Sequence, residues 1–156
     1  IARDFGGAFA KAQIAAGNRL PLKGMVFISV RDSDKADIVE VARDLADLGF
    51  SLIATGGTAR YLQHKGISVE TVYKVTEGRP NIVDRIKSRE VAMVINTSFG
   101  AKSAADSYSI RRSSLDVGLP YFTTVAGARA AAQGIRALLK GELGVTSLQE
   151  HHKALR

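Results

Sequence analysis

Thr55-Gly56-Gly57-Thr58 stands between an apolar run, Phe50-Ser51-Leu52-Ile53-Ala54, and a helix-forming stretch, Ala59-Arg60-Tyr61-Leu62-Gln63. A strand that passes into a helix through small and hydroxyl-bearing residues presents free backbone N–H groups at the positive end of the helix dipole. That setting favours an anion. Gly lets the backbone approach a phosphate closely, and a Thr hydroxyl can donate to its oxygens. The same residues also have a purely local reading, since a strand-to-helix turn uses Gly and a hydroxyl N-cap for its own sake.

Other residues bear on the choice. Lys74 lies two residues past a short β-branched run, Val69–Val72, and Lys35 falls in the first turn of a helical pattern. Either can bring a point charge to a phosphate. A Lys at a helix start opposes the helix dipole, which an anion would offset. Each also reads as a solvated surface cation. Asn96-Thr97-Ser98 follows the apolar run Val91–Ile95, and Asn both donates and accepts, which suits a ribose hydroxyl or a base edge. An Asx or Ser/Thr turn is the alternative there. Ser29, ending another apolar run, either faces the same crevice or packs in a sheet.

Catalytic candidates are few. Glu77, Asp84 and Asp106 are carboxylates without a His partner, and a general base needs one or the other near the reacting atom. Glu77-Gly78-Arg79-Pro80 is expected to order a loop through a Glu–Arg interaction, and Arg111-Arg112 to form ion pairs. The rim is equipped to bind an anion, with no catalytic residue assigned. His64, His151 and His152 do not form a metal-spaced cluster, and His151-His152 reads as solvated tail. The absence of Cys excludes disulfides, thiolate catalysis and Cys-ligated metals, and it fits a cytoplasmic setting.

The elements that must position these residues alternate. Met25–Val30 reads as a strand, and Asp32 and Ser33 are candidate caps for a helix over Asp34–Leu48, with Ile38, Val41, Ala42, Leu45 and Leu48 at helical spacing and Gly49 as its stop. Phe50–Ala54 is a strand, Thr58–Lys65 a helix and Val69–Val72 a strand. Pro80 is expected to start a helix over Asn81–Ser88. Val91–Ile95 is a strand, Lys102–Val117 a helix, Tyr121–Thr124 a short strand and Ala126–Leu139 a helix. This alternation predicts an α/β domain, a Rossmann-like parallel sheet with helices on both faces. Such sheets bind ligands beyond the carboxyl ends of their strands, where Ser29, Thr55–Thr58, Lys74, Asn96–Ser98 and Thr123 all fall.

The chain of 156 residues is one domain by length, expected over residues 23–156. Residues 1–22 read as a tail or linker from something upstream, with an Ala-rich helical segment, Ala8–Ala16; the alternative is a helix packed on the domain. The chain starts at Ile1 without Met and is expected to be a piece of a longer protein. Its first residues lack a secretory pattern, and its apolar runs are too short to span a membrane. The net charge of +7 is spread along the chain with few aromatics, which suits a small anionic ligand better than nucleic acid.

Five segments carry a resemblance. Ser29-Val30-Arg31-Asp32-Ser33-Asp34-Lys35, Ala54–Ala59, Tyr73-Lys74-Val75-Thr76-Glu77-Gly78-Arg79-Pro80, Ile95-Asn96-Thr97 and Ile110-Arg111-Arg112-Ser113 occur in this order. Together they closely resemble the C-terminal allosteric domain of the carbamoyl-phosphate synthase large subunit of bacterial type, a methylglyoxal-synthase-like domain. The resemblance covers roughly residues 23–150, and Phe9-Ala10-Lys11-Ala12-Gln13 resembles the end of the preceding synthetase domain. It implies a five-stranded parallel sheet and no catalysis or cofactor in this piece. It implies that Lys35, Thr55, Gly56, Gly57, Thr58 and Lys74 hold the phosphate of UMP, an inhibitor, or IMP, an activator. Ser29, Asn96, Thr97 and Ser98 would face ribose and base. Thr123 would touch ornithine, whose acidic ligands lie in the rest of the subunit. The parent would use ATP with Mg or Mn, pair with a small glutaminase subunit and form homo-oligomers. Methylglyoxal synthase itself, a lyase acting on dihydroxyacetone phosphate, shares the phosphate cradle, but its Gly-Gly-Asp loop corresponds here to Glu77-Gly78-Arg79-Pro80-Asn81. The cyclohydrolase domain of purine synthesis shares the Thr-Gly-Gly-Thr turn but has a Lys-rich loop absent here.

Overall fold

The computed structural model describes residues 1–97, 101–141 and 143–154. Five strands form one sheet, β1 Met25–Ser29, β2 Ser51–Thr55, β3 Glu70–Val72, β4 Val91–Asn96 and β5 Tyr121–Phe122, in the order β3-β2-β1-β4-β5. Every neighbouring pair is parallel. Parallel sheets are covered on both faces, so their central strands are apolar throughout. That is the pattern of β1 and β4, whose Val26, Phe27, Ile28, Met93, Val94 and Ile95 are all fully buried.

Successive side chains point to opposite faces. Val26, Ile28, Leu52, Ala54, Met93 and Ile95 join one core with helices α2 Lys35–Asp47, α3 Gly56–His64 and α6 Val125–Leu139. Phe27, Ile53, Val72 and Val94 join the other, with α4 Ile82–Lys87 and α5 Ala101–Asp116. Each fully buried Ile or Phe of this kind contributes about 1.5–3 kcal/mol from transfer out of water. Helix α2 buries Ile38, Val41, Ala42 and Leu45 at helical spacing, and Gly49 follows it with φ +91°. Helix α1, Phe5–Ala15, lies along α6 and buries Gly6, Gly7 and Ala10, while Leu20 enters the core shared with α6. The segment read as a linker therefore carries a packed helix. None of the described helices is long and apolar enough to cross a membrane.

Several local expectations need correction. Asp32 and Ser33 do not cap α2. They form a 3-10 turn, Asp32–Asp34, in which Ser33 Oγ donates to Asp34 Oδ1 and Asp32 pairs with Lys35. Pro80 does not start α4. The N-cap is Asn81, whose Oδ1 accepts from the Val83 and Asp84 N–H groups while Asp84 Oδ2 accepts from the Asn81 N–H. This reciprocal capping box satisfies the N–H groups of Asn81, Val83 and Asp84 at that end. Glu77 does not meet Arg79: Glu77 Oε2 accepts from the Lys74 N–H at 2.9 Å, and Arg79 lies 3.8 Å from Asp84. Residues His151 and His152, read as solvated tail, fall in a further helix, α7 Leu148–Ala154, with His152 exposed and His151 partly so.

Candidate functional site

Register aligns the carboxyl ends of the strands. Thr55 pairs with Val72, Ala54 with Ile28, and Ser29 with Asn96, so Thr55, Ser29 and Asn96 form one row across the top of the sheet. Strand order reverses between β1 and β4, the place where open α/β sheets leave a crevice. Ser29 and Asn96 flank that reversal. Lys74 follows β3 by two residues on the β2 side, and Thr123 follows β5 directly on the other. The structure thus brings to one rim the described side chains that the sequence placed there. Ser98 lies outside the described residues.

The geometry of the β2–α3 turn bears on its two readings. Thr55 is the N-cap of α3 by position, yet its side chain makes no capping bond; its Oγ1 lies 3.2 Å from Ser29 Oγ instead. Among the described residues no side chain caps the first turn of α3, whose N–H groups have no intrahelical partner. Gly56 and Gly57 do not have positive φ. A Cβ on Gly56 would meet no atom within 4 Å, and one on Gly57 would meet only Lys35 Nζ, at 3.6 Å. Neither backbone strain nor protein packing requires a glycine at either place. The turn is open on the side where an anion would sit, and a cation overhangs it.

Lys35 is held by Asp32, Nζ to Oδ1 at 2.8 Å, with the Asp32 side chain 95% exposed. The bond to Lys35 and its charge keep the Asp32 carboxyl below its usual range. Sequence reading took Lys35 as an uncompensated cation at a helix start; the nearby anion is Asp32. The i,i+3 spacing of the two was the available signal. Exposed pairs of this kind are weak, so Lys35 is readily shared. Lys74 is exposed and has no acidic partner among the described residues.

The remaining hydroxyls tie the rim together. Thr58, 2% exposed, accepts from the Val30 N–H at 3.2 Å and keeps its own hydrogen to donate. Thr97 Oγ1 accepts from the Arg31 N–H at 3.3 Å, and its N–H donates to the Ser29 carbonyl at 3.0 Å. Burial raises the Asp34 carboxyl, but hydrogen bonds from Thr97, Arg31 and Ser33 outweigh that and leave it below its usual range. Asn96, 3% exposed, donates from Nδ2 to Tyr121 Oη at 2.8 Å and to Ser107 Oγ at 3.4 Å. Tyr121 and Asp32 are the rim residues that sequence reasoning missed. Thr123 is exposed, and Thr124 caps α6 by accepting from the Gly127 N–H at 3.0 Å. Arg112 pairs with Asp116 at 3.3 Å, whereas Arg111 lies over the Tyr121 ring. A cleft of about 610 Å³ opens away from the rim, where Lys11 and Asp4 of the N-terminal region face Glu150 and His151. Its Lys11 ammonium is occupied by the Ile1 and Gly144 carbonyls.

Known proteins are similar to this chain over nearly its whole length. The chain is 54% identical over 151 residues, 97% of its length, to a carbamoyl phosphate synthase large chain of Myxococcus xanthus. It is 47% identical over 98% of its length to that of Methanothrix thermoacetophila, and 50% identical over 95% to that of Rhizobium meliloti. It spans 14%, 14% and 13% of those relatives, about one seventh of each. Residues 37–123, which include all of α2 but its first two residues, the β2–α3 turn and the ends of β3, β4 and β5, match the MGS-like domain. Five parallel strands, helices on both faces and that match together establish that the chain belongs to the MGS-like domain family.

Proposed function

We propose that this chain is the regulatory domain of a carbamoyl phosphate synthase large chain, and that its rim binds a nucleoside monophosphate, with UMP as inhibitor and IMP as activator. One observation carries the reading: Gly56 and Gly57 are demanded by nothing in the protein, while Lys35 stands over Gly57. In this reading the phosphate rests on the first-turn N–H groups of α3 and takes hydroxyl donors from Thr55 and Thr58. Lys35 and Lys74 supply charge from two loops. Ser29, Asn96, Thr97 and Ser98 lie toward ribose and base. Thr123 belongs to an ornithine contact completed by the rest of the large chain. The parent enzyme makes carbamoyl phosphate from bicarbonate, glutamine and ATP for arginine and pyrimidine synthesis, in the cytoplasm, with a glutaminase subunit as partner.

The regulatory logic is linkage. An effector shifts the synthetase only by binding its two states unequally. A phosphate that engages Lys35 and Lys74 together draws the β1–α2 and β3–α4 loops toward one charge. Those loops then differ in position between free and bound forms.

Calorimetric titration of the chain at low salt with UMP, IMP, inorganic phosphate and dihydroxyacetone phosphate tests this. The expected result is saturable nucleotide binding, tighter than phosphate, with no methylglyoxal released from the triose. Lys74→Ala is expected to weaken nucleotide and phosphate alike by about 1.5–3 kcal/mol, the scale of a charge-assisted hydrogen bond. Turnover of dihydroxyacetone phosphate would instead establish the lyase. An absence of nucleotide binding would overturn the effector site as drawn.

A further inference from the structure

Asp34 stands at the N-cap position of α2, where a carboxylate ordinarily bonds first-turn N–H groups, yet its side chain makes no capping bond. Its oxygens turn to the β1–α2 loop instead. Oδ2 accepts from Arg31 Nε at 2.9 Å, and Oδ1 accepts from Ser33 Oγ at 3.1 Å. Thr97 Oγ1 donates to the same carboxylate and accepts from the Arg31 N–H at 3.3 Å. The Asp34 side chain is 14% exposed, whereas that of Asp32 stands out in solvent. Thr97 directly follows β4, so these bonds join the end of one strand to the turn that follows another. Within that turn the Asp34 N–H donates to the Arg31 carbonyl at 3.0 Å, and the Lys35 N–H to the Asp32 carbonyl. Lys35 comes next, and its ammonium stands over Gly57. An ammonium on a flexible four-carbon stem does not fix its own place. Where it can reach is set by where its backbone is held.

We propose that Asp34 is a positioning residue for the phosphate half of the rim: by tying the β1–α2 turn to Thr97, it sets where the Lys35 backbone sits and so holds the ammonium over the β2–α3 turn. The inference rests on the anion reading above and adds a residue whose effect runs against simple electrostatics. Taking a negative charge away from the neighbourhood of an anion site tightens binding by Coulomb's law alone. Taking this one away weakens it, because the cation that it places is no longer held at the site. The same bonds give Thr97 a part of its own. Its hydroxyl hydrogen goes to Asp34, so Thr97 shapes the rim rather than donating to a ligand.

The test titrates inorganic phosphate and UMP into wild type, Asp34→Ala, Asp34→Asn, Lys35→Ala and the double variant of Asp34→Ala with Lys35→Ala, with urea unfolding of each. Ala and Asn remove the same charge, but Asn keeps an acceptor for Arg31 or Ser33 and a donor for Thr97. Asp34→Ala is expected to weaken phosphate and UMP alike by about three- to tenfold, part of the worth of a charge-assisted hydrogen bond. Asp34→Asn should stay within about twofold of wild type. The double variant should bind no more weakly than Lys35→Ala, a result that general loosening of the rim would not give. Should the Ala chain not fold, Asp34→Ser replaces it, since Ser suits a helix start but is too short to bridge Arg31 and Thr97. Unchanged or tighter binding in Asp34→Ala, an equal loss in Asp34→Asn, or a further loss in the double variant would each overturn the inference while leaving the anion reading standing. A wild-type chain that binds neither phosphate nor UMP would overturn both.

Discussion

Two sets of helical glycines in this molecule differ in what surrounds them. Gly6 on α1 and Gly134 on α6 sit in the seam between those helices. A Cβ on Gly6 would lie 2.6 Å from the Gln133 carbonyl oxygen, and one on Gly134 would lie 2.9 Å from Leu20 Cδ1. Gly56 and Gly57 sit in the β2–α3 turn, where a Cβ would meet nothing or only the tip of Lys35. None of the four has positive φ. The seam glycines are explained by the protein itself: the backbone of α6 leaves no room for a Cβ at Gly6, and the side chains of Leu20 and Phe9 crowd one at Gly134. Neither conformation nor packing in the protein requires the turn glycines, and the anion proposed for the rim is what would use the space they leave open.

The largest effect expected from this contrast is on stability at the seam. Gly6→Val drives a branched side chain into the α6 backbone, which cannot yield as a side-chain tip can. A loss of about 3 kcal/mol is expected, the upper part of the overpacking range, read as a lower urea midpoint at unchanged slope. Phosphate affinity at the rim should not move. A loss below about 1 kcal/mol would mean that α1 rides loosely on α6 and would remove the contrast.

Gly56→Ala should behave in the opposite way. The residue opens α3 and its Cβ has free space, so the fold is expected to hold or gain up to about 1 kcal/mol, from helix propensity and a less flexible unfolded chain. Binding of phosphate and of nucleotide should both fall about tenfold, because the methyl occupies the approach to the first-turn N–H groups. Full affinity in this variant would show that the space above Gly56 is not where the anion lies.

Much of the fold was legible because burial writes itself into composition. Strands β1 and β4 are covered on both faces and read as unbroken apolar runs. The rim followed from the Thr55–Thr58 turn together with a rule about strand ends. What stayed hidden depends on backbone acceptors and donors, which a sequence does not display. Glu77 bonds to the Lys74 N–H rather than to Arg79, and Thr58 is engaged by the Val30 N–H. Two helix starts could have been found. Asn81-Ile82-Val83-Asp84 and Ser147-Leu148-Gln149-Glu150 both have the spacing of a capping box, and Glu150 is held below its usual range by the Ser147 N–H and hydroxyl. Tyr121 escaped notice because an aromatic residue in a short strand reads as core. Its hydroxyl bonds to Asn96, 25 positions away.

The smallest expected effect sharpens the cradle itself. Lys35 is the one cation shown to overhang the turn, and Asp32 competes for it. Because the carboxyl of Asp32 is held below its usual value, the pair is intact at and above the ordinary carboxylate pKa. It is lost only as pH falls through the lowered value. At neutral pH an incoming phosphate must therefore displace or share an intact partner. Asp32→Asn removes the competing charge and leaves Lys35 in place. Phosphate should then bind roughly twofold more tightly, with steeper weakening by salt, since the ammonium now faces solvent alone. Lys35→Ala should lose affinity in either background. If Asp32→Asn instead weakens binding, then Asp32 serves to aim Lys35 at the turn rather than to hold it back, and the open cradle owes its geometry to that exposed pair.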